Sequence, residues 1–354
     1  MTFAEARALF PVLDTVAYLN AGTFGPLARP VAEALVAGVR RDLAEGRTGK
    51  AYFEETLALR ERLRAAFARL VGAEPDQLAL TGSTTEGCGI VLRGLGLTPE
   101  DEIVTTTDEH FGLLGPLGAS PARVVVVPPD PERIAGAITS RTRLIATSRV
   151  LWTTGAVLPL RELRERCGVP VLADGAQSVG AIPDEATGLD YLTISGQKWL
   201  CGPDATGALV VRDPDRLGLL SPSYFAQRTH DPDGSFEPQP GTRRFEPGWW
   251  SNGTLRAMLA ALELRPDWWF DRAREAAARC RRLLSPRVEL ATPDTVATLV
   301  SFRVEDGAAA SLVERLGDRG VSVREIPGRG LVRVSCGWWT SDDDLDRLVA
   351  GLDG

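Results

Sequence analysis

Short β-rich runs alternate with helical patterns through the first two thirds of the chain, and this alternation constrains the fold more than any other feature. A repeated strand–helix order predicts an α/β domain whose sheet is mostly parallel. Ligands of such sheets bind at the carboxyl ends of the strands, so we expect the functional residues there. The predicted strands of this part are Ile103–Thr106, Arg123–Val127, Leu144–Thr147, Val169–Ala173, Asp190–Ser195 and Ala208–Val211.

The character of the sequence changes after residue 212. Residues 213–253 are rich in Pro, Gly, Asp and Trp, which predicts a long irregular segment that is functional or packs against another subunit. Helical and strand patterns then alternate again, which predicts a small C-terminal α/β domain packed by the N-terminal segment. The expected organisation is a large domain over residues 20–245 and a small domain formed by residues 1–19 and 246–354.

The composition makes several classes of binding partner and cellular location unexpected for this protein. The net charge is −7 with both signs mixed along the chain, so neither nucleic acid nor an anionic membrane is expected as a partner. No apolar run reaches transmembrane length, and Thr2 and Glu5 predict a capped helix rather than a signal peptide. The five cysteines are scattered without C-x-x-C spacing, which predicts a cytoplasmic protein with no disulfide framework and no metal site.

Only two of the forty basic residues are lysines, Lys50 and Lys198. Lysine, unlike arginine, can lose its proton when desolvated and then attack a carbonyl carbon. Lys50 lies in a polar helical stretch and is predicted to be solvated, whereas Lys198 ends the apolar run that starts at Asp190. Burying a charged side chain at the end of a buried strand costs free energy, so a lysine in this position is expected to have a function. On position alone, an imine-forming lysine and a lysine that snorkels from a strand end are equally compatible with the sequence.

Hydroxyl and amide groups cluster at two places that are predicted to follow strands. The apolar run Leu78–Leu80 leads through a glycine turn into Ser83-Thr84-Thr85, where a helix is predicted to begin. Backbone N–H groups and hydroxyls at a helix N-terminus form an anion site. Ser83 and Glu86 also have the spacing of a plain capping box, and both interpretations can hold together. The stretch Ser195-Gly196-Gln197-Lys198 adds a hydroxyl, an amide and an amine.

Two further polar residues follow predicted strands. Asp174 comes directly after Pro170-Val171-Leu172-Ala173, where a carboxylate needs a cationic or N–H partner. Taken singly, Asp174 is best interpreted as a helix N-cap, and His110 as a hydrogen-bonded strand-end residue. Together with Lys198 and the anion site, however, they suit pyridoxal 5′-phosphate (PLP), whose usual protein partners are a lysine imine and a carboxylate at the pyridine nitrogen.

The stretches Asp174-Gly-Ala-Gln177-Ser and Ser195-Gly-Gln-Lys198-Trp-Leu-Cys-Gly-Pro resemble the class V aminotransferases of the fold-type I PLP enzymes. That group includes cysteine desulfurases and isopenicillin-N-epimerase-like proteins. The resemblance runs from about Tyr18 to the C-terminus, and it implies a PLP-binding large domain with a mostly parallel mixed sheet. It also implies a homodimer with active sites near the interface.

The resemblance assigns roles residue by residue. It implies that Lys198 forms the imine and moves the substrate Cα proton, that Asp174 pairs with the pyridine nitrogen, and that His110 stacks on the ring. Gln177 would contact the side of the ring that carries the hydroxyl. The cofactor would be bound at and next to its phosphate by Ser83, Thr84, Thr85, Ser195 and Gln197. Gln197 replaces the histidine that is usual in the family, and its amide can still donate a hydrogen bond.

Substrate contacts are expected from arginines. Val332, Val334 and Cys336 share one face of a predicted strand and Arg333 takes the other, where its planar fork suits a substrate carboxylate. The alternative is a surface arginine on an edge strand, but the resemblance places a carboxylate-binding arginine in this motif. Arg149 lies where relatives often carry asparagine or histidine, so it would bind an anionic substrate side chain or form a salt bridge to a partner subunit. Asn20 is also assigned to the substrate side.

Two departures from the family pattern bear on the activity. Residues 321–330 lack the cysteine that carries a persulfide in cysteine desulfurases, which disfavours sulfur transfer through the enzyme. Trp249 and Trp250 stand where relatives often have Gly-Thr, and they would wall the substrate pocket or bury the dimer seam. The expected function is an aminotransferase that acts on an amino-acid-like substrate through an external aldimine and Cα deprotonation. The alternatives are a C–S lyase or epimerase without a persulfide cysteine, and a non-catalytic cofactor-binding regulator.

Overall fold

The computed structural model describes residues 1–183, 185–294, 297–305 and 307–353. The α-helices among them are α1 (Phe3–Arg7), α2 (Arg29–Glu45), α3 (Gly49–Val71), α4 (Thr84–Gly94), α5 (Phe111–Gly118), α6 (Pro131–Gly136), α7 (Leu160–Cys167), α8 (Asn252–Glu263), α9 (Trp269–Leu284), α10 (Ala308–Asp318) and α11 (Asp342–Asp353). The strands are β1 (Ala17–Tyr18), β2 (Leu78–Thr81), β3 (Glu102–Thr106), β4 (Arg123–Val127), β5 (Thr142–Ser148), β6 (Val171–Asp174), β7 (Tyr191–Ser195), β8 (Gly207–Val211), β9 (Gln227–His230), β10 (Phe236–Pro238), β11 (Leu299–Arg303), β12 (Val321–Ser322), β13 (Arg324–Ile326) and β14 (Leu331–Ser335).

A seven-stranded sheet forms the centre of the large part of the chain, in the order β2-β8-β7-β6-β5-β3-β4. The five strands β3, β4, β5, β6 and β7 run parallel to one another. Strand β8 is antiparallel to both of its neighbours, β2 and β7. The inner strands β3, β6, β7 and β8 are buried along their whole length, which is typical of a sheet covered on both faces. The predicted α/β fold with a mostly parallel mixed sheet is therefore confirmed.

The parallel strands bring their carboxyl ends to one edge of this sheet. Ser148 at the end of β5 lies beside Asp174 at the end of β6, and Asp174 lies beside Thr193 of β7. The strand boundaries differ from the predicted ones by at most two residues. For example, β6 begins at Val171 rather than Val169, because Pro170 has no N–H to donate to a neighbouring strand.

A smaller antiparallel sheet follows, in the order β11-β14-β13, so β14 is its central strand. The N-terminal segment packs on this part of the chain, as the sequence suggests, since β1 pairs in parallel with β12. Leu19 joins the same apolar core as Val332 and Val334. The domain boundaries stay predictions. The core of the large sheet extends beyond residue 246, because Leu255 of α8 packs in one cluster with Ile194.

Residues 213–253 are mostly irregular, as predicted, but they include an antiparallel hairpin of β9 and β10. Asp231 and Ser235 close its turn through a backbone hydrogen bond of 2.9 Å, and Gly234 adopts a positive φ of 88°. An Asp-Gly pair is a hairpin turn signal that the sequence interpretation missed. No helix in the described part of the chain is both long and apolar enough to cross a lipid bilayer.

Candidate active site

A cavity of about 260 Å³ opens at the carboxyl edge of the large sheet. Nine of the residues predicted from the sequence line it: Ser83, Thr84, Thr85, His110, Gln177, Ser195, Gln197, Lys198 and Arg333. Five residues without a predicted role also line it, and they come from the N-terminal segment, the loop after β5 and β13: Gly22, Thr23, Phe24, Trp152 and Arg324. The structure thus gathers segments that are more than 300 positions apart around one space.

Hydrogen-bond donors line one end of the cavity. Ser83 is the N-cap of α4, and its Oγ accepts from the backbone N–H of Glu86 at 3.1 Å. The Glu86 carboxylate accepts from the N–H of Gly82 at 2.6 Å rather than from Ser83, so the predicted capping box is only half formed. The first N–H groups of α4, at Thr84 and Thr85, have no acceptor within the helix. This end of the cavity can therefore bind a phosphate.

The amide of Gln197 adds to this donor set. Ser195 Oγ donates to Gln197 Oε1 at 2.9 Å, which fixes the carbonyl side of the amide on the Ser195 hydroxyl. The amide NH₂ group then points away from Ser195, and it is the part of Gln197 that can donate to an anion.

Asp174 lies buried behind the cavity, close to Lys198. Its Oδ1 accepts from the N–H of Ala176 at 2.9 Å and from the Thr193 hydroxyl at 3.3 Å. The residues after Asp174 form turns rather than a helix, so the helix N-cap interpretation is wrong. Burial lowers the pKa of Lys198 to about 8, with the Arg333 charge acting in the same direction and that of Asp174 opposing it. Lys198 can therefore reach its neutral form near physiological pH, whereas Lys50 is 88% exposed and pairs with Glu54.

His110 is the N-cap of α5 and presents its ring to the cavity. Its Nδ1 accepts from the N–H of Gly112 at 3.0 Å, so the proton of the neutral ring lies on Nε2. Partial burial lowers the pKa of His110, and the positive charge of Lys198 lowers it further. The ring of Trp152 meets that of His110 edge-on, with 5.0 Å between the centroids.

Glu109 anchors the backbone that carries His110. Its carboxylate accepts from the hydroxyls of Thr106, Thr147 and Ser148 at 2.5–2.6 Å and from the Ser148 N–H at 2.9 Å. These bonds connect the ends of β3 and β5 through Glu109, the residue that precedes His110 in the chain. Burial raises the pKa of Glu109 despite these donors.

Gln177 is held by two hydrogen bonds that fix the direction of its amide. Its Nε2 donates to the carbonyl of Gly22 at 2.8 Å, and its Oε1 accepts from the indole of Trp199 at 3.0 Å. Trp199 is buried directly after Lys198, so the segment that carries the lysine also sets the amide.

Arg333 also lines the cavity and is only 2% exposed. It donates to the carbonyl of Trp152 at 3.0 Å and to the hydroxyl of Thr23 at 3.3 Å, while its buried Nε has no hydrogen-bond partner in the described part of the chain. Burial lowers the pKa of Arg333 to about 9, and the charge of Arg324 adds to the effect. Because β14 is a central strand, the interpretation of Arg333 as an edge-strand surface residue is wrong.

Two residues predicted for the substrate side do not line the cavity. Arg149 donates to the carbonyl of Leu158 and lines a separate cavity with Phe270 and Arg274. Its neighbour Ser148 uses its side chain on Glu109, and Arg149, one position further along the chain, contacts a different part of the fold. The structure therefore does not bring Arg149 to the substrate side. Asn20 contacts one of the lining residues, since its Oδ1 accepts from the Thr23 hydroxyl at 2.8 Å.

The tryptophan pair and the cysteines are also not among the described residues that line the cavity. Trp249 is 49% exposed and packs against Phe53 and Phe225, so its predicted place in a dimer seam stays a prediction. None of the five cysteines is among the described residues that line the cavity, and four of the five are buried.

The donor set of the cavity fits PLP. Hydroxyls and N–H groups at one end match a phosphate, the amine of Lys198 matches an aldehyde, and the carboxylate of Asp174 matches a basic ring nitrogen. The guanidinium of Arg333 lines the same cavity and keeps one buried N–H without a partner in the described part of the chain, so it matches a further anion, such as a substrate carboxylate.

Comparisons with known proteins agree with this fit. Residues 18–348 match the family model of the class-V aminotransferases. Isopenicillin N epimerase of Streptomyces clavuligerus is 32% identical over 393 aligned residues, with 99% of this chain and 97% of the relative covered. The corresponding enzyme of Amycolatopsis lactamdurans is 30% identical, with 99% and 98% covered.

Solved structures extend the similarity. The complex of the cystine C–S lyase C-DES with its reaction product cysteine persulfide superposes with a TM-score of 0.89 and 27% identity, covering 97% of this chain and 98% of that one. A lysine-to-alanine mutant of C-DES, with glycine covalently linked to its PLP cofactor, superposes with a TM-score of 0.90 at 27% identity, and 98% of each chain is covered.

Proposed function

This chain belongs to the class-V aminotransferase family of PLP-dependent enzymes, and from that premise we propose that it is a C–S lyase. It would remove the Cα proton of a sulfur-containing amino acid and release the sulfur substituent from Cβ. One observation carries the proposal: a desolvated lysine amine lies in the same cavity as a buried arginine that can bind a carboxylate, and none of the described residues that line the cavity is a cysteine.

The residues around Lys198 would perform the proton transfer. PLP supplies an electron sink that makes the Cα proton acidic. Lys198 would hold the cofactor aldehyde and, once displaced by the substrate amine, would take the Cα proton on Nζ. The lowered pKa of Lys198, about 8, suits this task because a useful fraction of the amine is neutral near pH 7. Asp174 would keep a proton on the pyridine nitrogen.

The remaining contacts would hold the cofactor and orient the substrate. The phosphate would lie on Ser83, Thr84, Thr85, Ser195 and Gln197. His110 would cover one face of the ring, and Gln177 would donate to its hydroxyl oxygen from an amide fixed by Trp199. Arg333 would bind the substrate α-carboxylate, since its guanidinium is already oriented by Trp152 and Thr23.

The choice of elimination over the other outcomes rests on the relatives and on the cysteines. C-DES, which is named as a cystine C–S lyase, resembles this chain over nearly its whole length. Transfer of sulfur through an enzyme persulfide is disfavoured because no cysteine belongs to the described lining of the cavity. Transamination, which is expected from the family resemblance alone, starts from the same proton removal but needs a keto-acid acceptor.

Epimerisation is the second candidate, and the similarity to isopenicillin N epimerase over 99% of this chain favours it. It shares the removal of the Cα proton by Lys198. It differs in that a proton returns to Cα from the opposite side and no bond at Cβ breaks.

We also propose that the enzyme is a homodimer. Apolar side chains are exposed on the N-terminal segment and on α2 and α5, and patches of this kind mark association surfaces. They include Phe24, Leu27, Val36, Val39, Leu43, Phe111 and Leu114. The mass of the purified protein in solution tests this, and a monomer at micromolar concentration would contradict it.

One panel experiment tests the proposed activity. The holoenzyme is incubated in D₂O with L-cystine, L-cysteine, S-substituted cysteines and common amino acids, with and without 2-oxoglutarate. Elimination predicts pyruvate and ammonia without the keto acid, transamination predicts products only with it, and epimerisation predicts the D-amino acid. Lys198→Ala should abolish every product while Lys50→Ala should remain fully active. A regulator without turnover would give neither product nor deuterium at Cα with any substrate, and that result would refute the proposal.

A further inference from the structure

We propose that the enzyme prefers amino acids whose side chain ends in an anionic group, and that Arg324 at the rim of the cavity binds this group. This inference rests on the proposed function, because it assumes that Arg333 holds the α-carboxylate. It adds a substrate class and a specificity-determining residue to that function.

Arg324 and Arg333 lie side by side on the wall of the cavity. They are directly opposite each other in the antiparallel pair of β13 and β14, so their side chains lie on the same face of the sheet. Opposite residues of such a pair have Cβ atoms about 5 Å apart. The charge of Arg324 also contributes to the lowered pKa of Arg333, as expected for neighbouring cations.

The two arginines lie at different depths. Arg333 is buried and is fixed by the Trp152 carbonyl and the Thr23 hydroxyl, whereas Arg324 is exposed at the first position of β13. A substrate whose α-carboxylate reaches Arg333 therefore directs a longer side chain towards the mouth of the cavity. There it meets Arg324.

The charges of this wall are not balanced by the protein. Within the described part of the chain, neither Arg324 nor Arg333 forms an ion pair with a carboxylate, whereas Arg329, five residues after Arg324, pairs with Asp108. Adjacent like charges repel, and an anion between or beside them relieves that repulsion. A substrate with one carboxylate balances one of the two arginines, and a substrate with two balances both.

The test uses two substrates that differ in charge and hardly in shape, S-(carboxymethyl)-L-cysteine and S-(carbamoylmethyl)-L-cysteine. Elimination with uptake of one water converts each into pyruvate, ammonia and a thiol, which is thioglycolate for the first and 2-mercaptoacetamide for the second. Dissociation constants are measured separately from turnover, by titrating the absorption band of the bound cofactor.

We expect the wild-type enzyme to bind and convert the carboxymethyl compound about tenfold better, as a charge-assisted contact at a partly screened site allows. Raising the salt concentration from about 0.05 M to 0.5 M should reduce this preference. Arg324→Gln should bring it close to unity by weakening the carboxymethyl compound alone. The control Arg303→Gln removes an exposed arginine of the same sheet that pairs with Glu289, and it should leave the preference unchanged.

Two results would overturn the inference: a wild-type enzyme that does not prefer the anionic compound, or an Arg324→Gln variant that weakens both compounds equally. The second result would mean that both arginines share the α-carboxylate. If the two compounds bind with the expected preference and neither is converted, the proposed elimination is wrong while the role of Arg324 stands. Conversion of both without preference refutes only the role of Arg324. If the variant does not fold, the wild-type comparison and its salt dependence still decide whether the enzyme prefers the anionic compound.

Discussion

Replacing Lys198 by methionine should make the cofactor-free protein more stable. Burial lowers the pKa of Lys198 from 10.5 to about 8. At 1.36 kcal/mol per pH unit, this difference lowers the free energy of unfolding by about 3.4 kcal/mol at a pH where both states carry the proton. Because the side chain retains partial contact with solvent in the cavity, we expect Lys198→Met to recover about 2–3 kcal/mol at pH 7.

The pH dependence gives this prediction a second signature. As the pH rises through about 8, the folded state loses the Lys198 proton while the unfolded state, with a pKa near 10.5, still holds it. The unfolded state then binds more protons, so the free energy of unfolding of the wild type rises with pH until the lysine is neutral in both states. Lys198→Met lacks this contribution. Its advantage should therefore be complete at pH 7 and shrink towards pH 10.

Urea unfolding of the cofactor-free protein at one fixed protein concentration measures both effects. Lys50→Met is the matched control, since Lys50 is exposed and its pair with Glu54 is a surface contact. It should change the free energy of unfolding by less than about 0.5 kcal/mol at either pH. The reasoning fails if Lys198→Met is no more stable than the wild type at pH 7, or if its advantage is independent of pH.

Three further substitutions test the other groups of the site. Asp174→Asn should retain cofactor binding within about tenfold but lower kcat by about 100-fold or more, so equal losses in a spectral titration and in turnover would contradict the assigned role. Arg333→Lys should raise KM by about tenfold with kcat less affected, because an ammonium cannot keep the bond to Trp152 and also present a planar fork; an unchanged KM would refute this. Glu109→Gln should lower the free energy of unfolding by about 1–3 kcal/mol in thermal or urea unfolding, since four donors lose their carboxylate, whereas an unaltered stability would mean that these donors find other partners.

The part of the site that could be predicted lies in short stretches at strand ends. Asp174 and Lys198 follow apolar runs that can only be strands, and parallel strands bring such residues to one edge. Their chemistry is also unusual for their position, because a buried carboxylate and a buried amine need partners. Each signal is local and ambiguous by itself, and it is their combination with the family resemblance that predicts the roles of the two residues.

The rest of the site depends on contacts between distant segments. Thr23, Trp152 and Arg324 reach the cavity from three loops or strand starts, and none of them lies in a motif that specifies its neighbours. Arg149 illustrates the opposite error. It lies one residue from Ser148, whose side chain supports the His110 segment, yet its own side chain contacts Leu158 in another part of the fold. Two residues that are adjacent in the sequence at a strand end can therefore direct their side chains to different parts of the fold.

The charges of the cavity connect the stability of the protein to its proposed chemistry. Three cations, Lys198, Arg324 and Arg333, belong to the described lining, which contains no carboxylate, while Asp174 lies behind it. Burial lowers the pKa of both Lys198 and Arg333, so each holds its proton less tightly in the folded protein than in water. An anionic cofactor and a carboxylate substrate reduce the free-energy cost of these buried charges, because they bring negative charge to groups that the fold leaves without it. A sequence optimised for stability alone would place apolar residues there, as Lys198→Met does. The presence of these cations is therefore best explained by the binding of anions and the transfer of a proton.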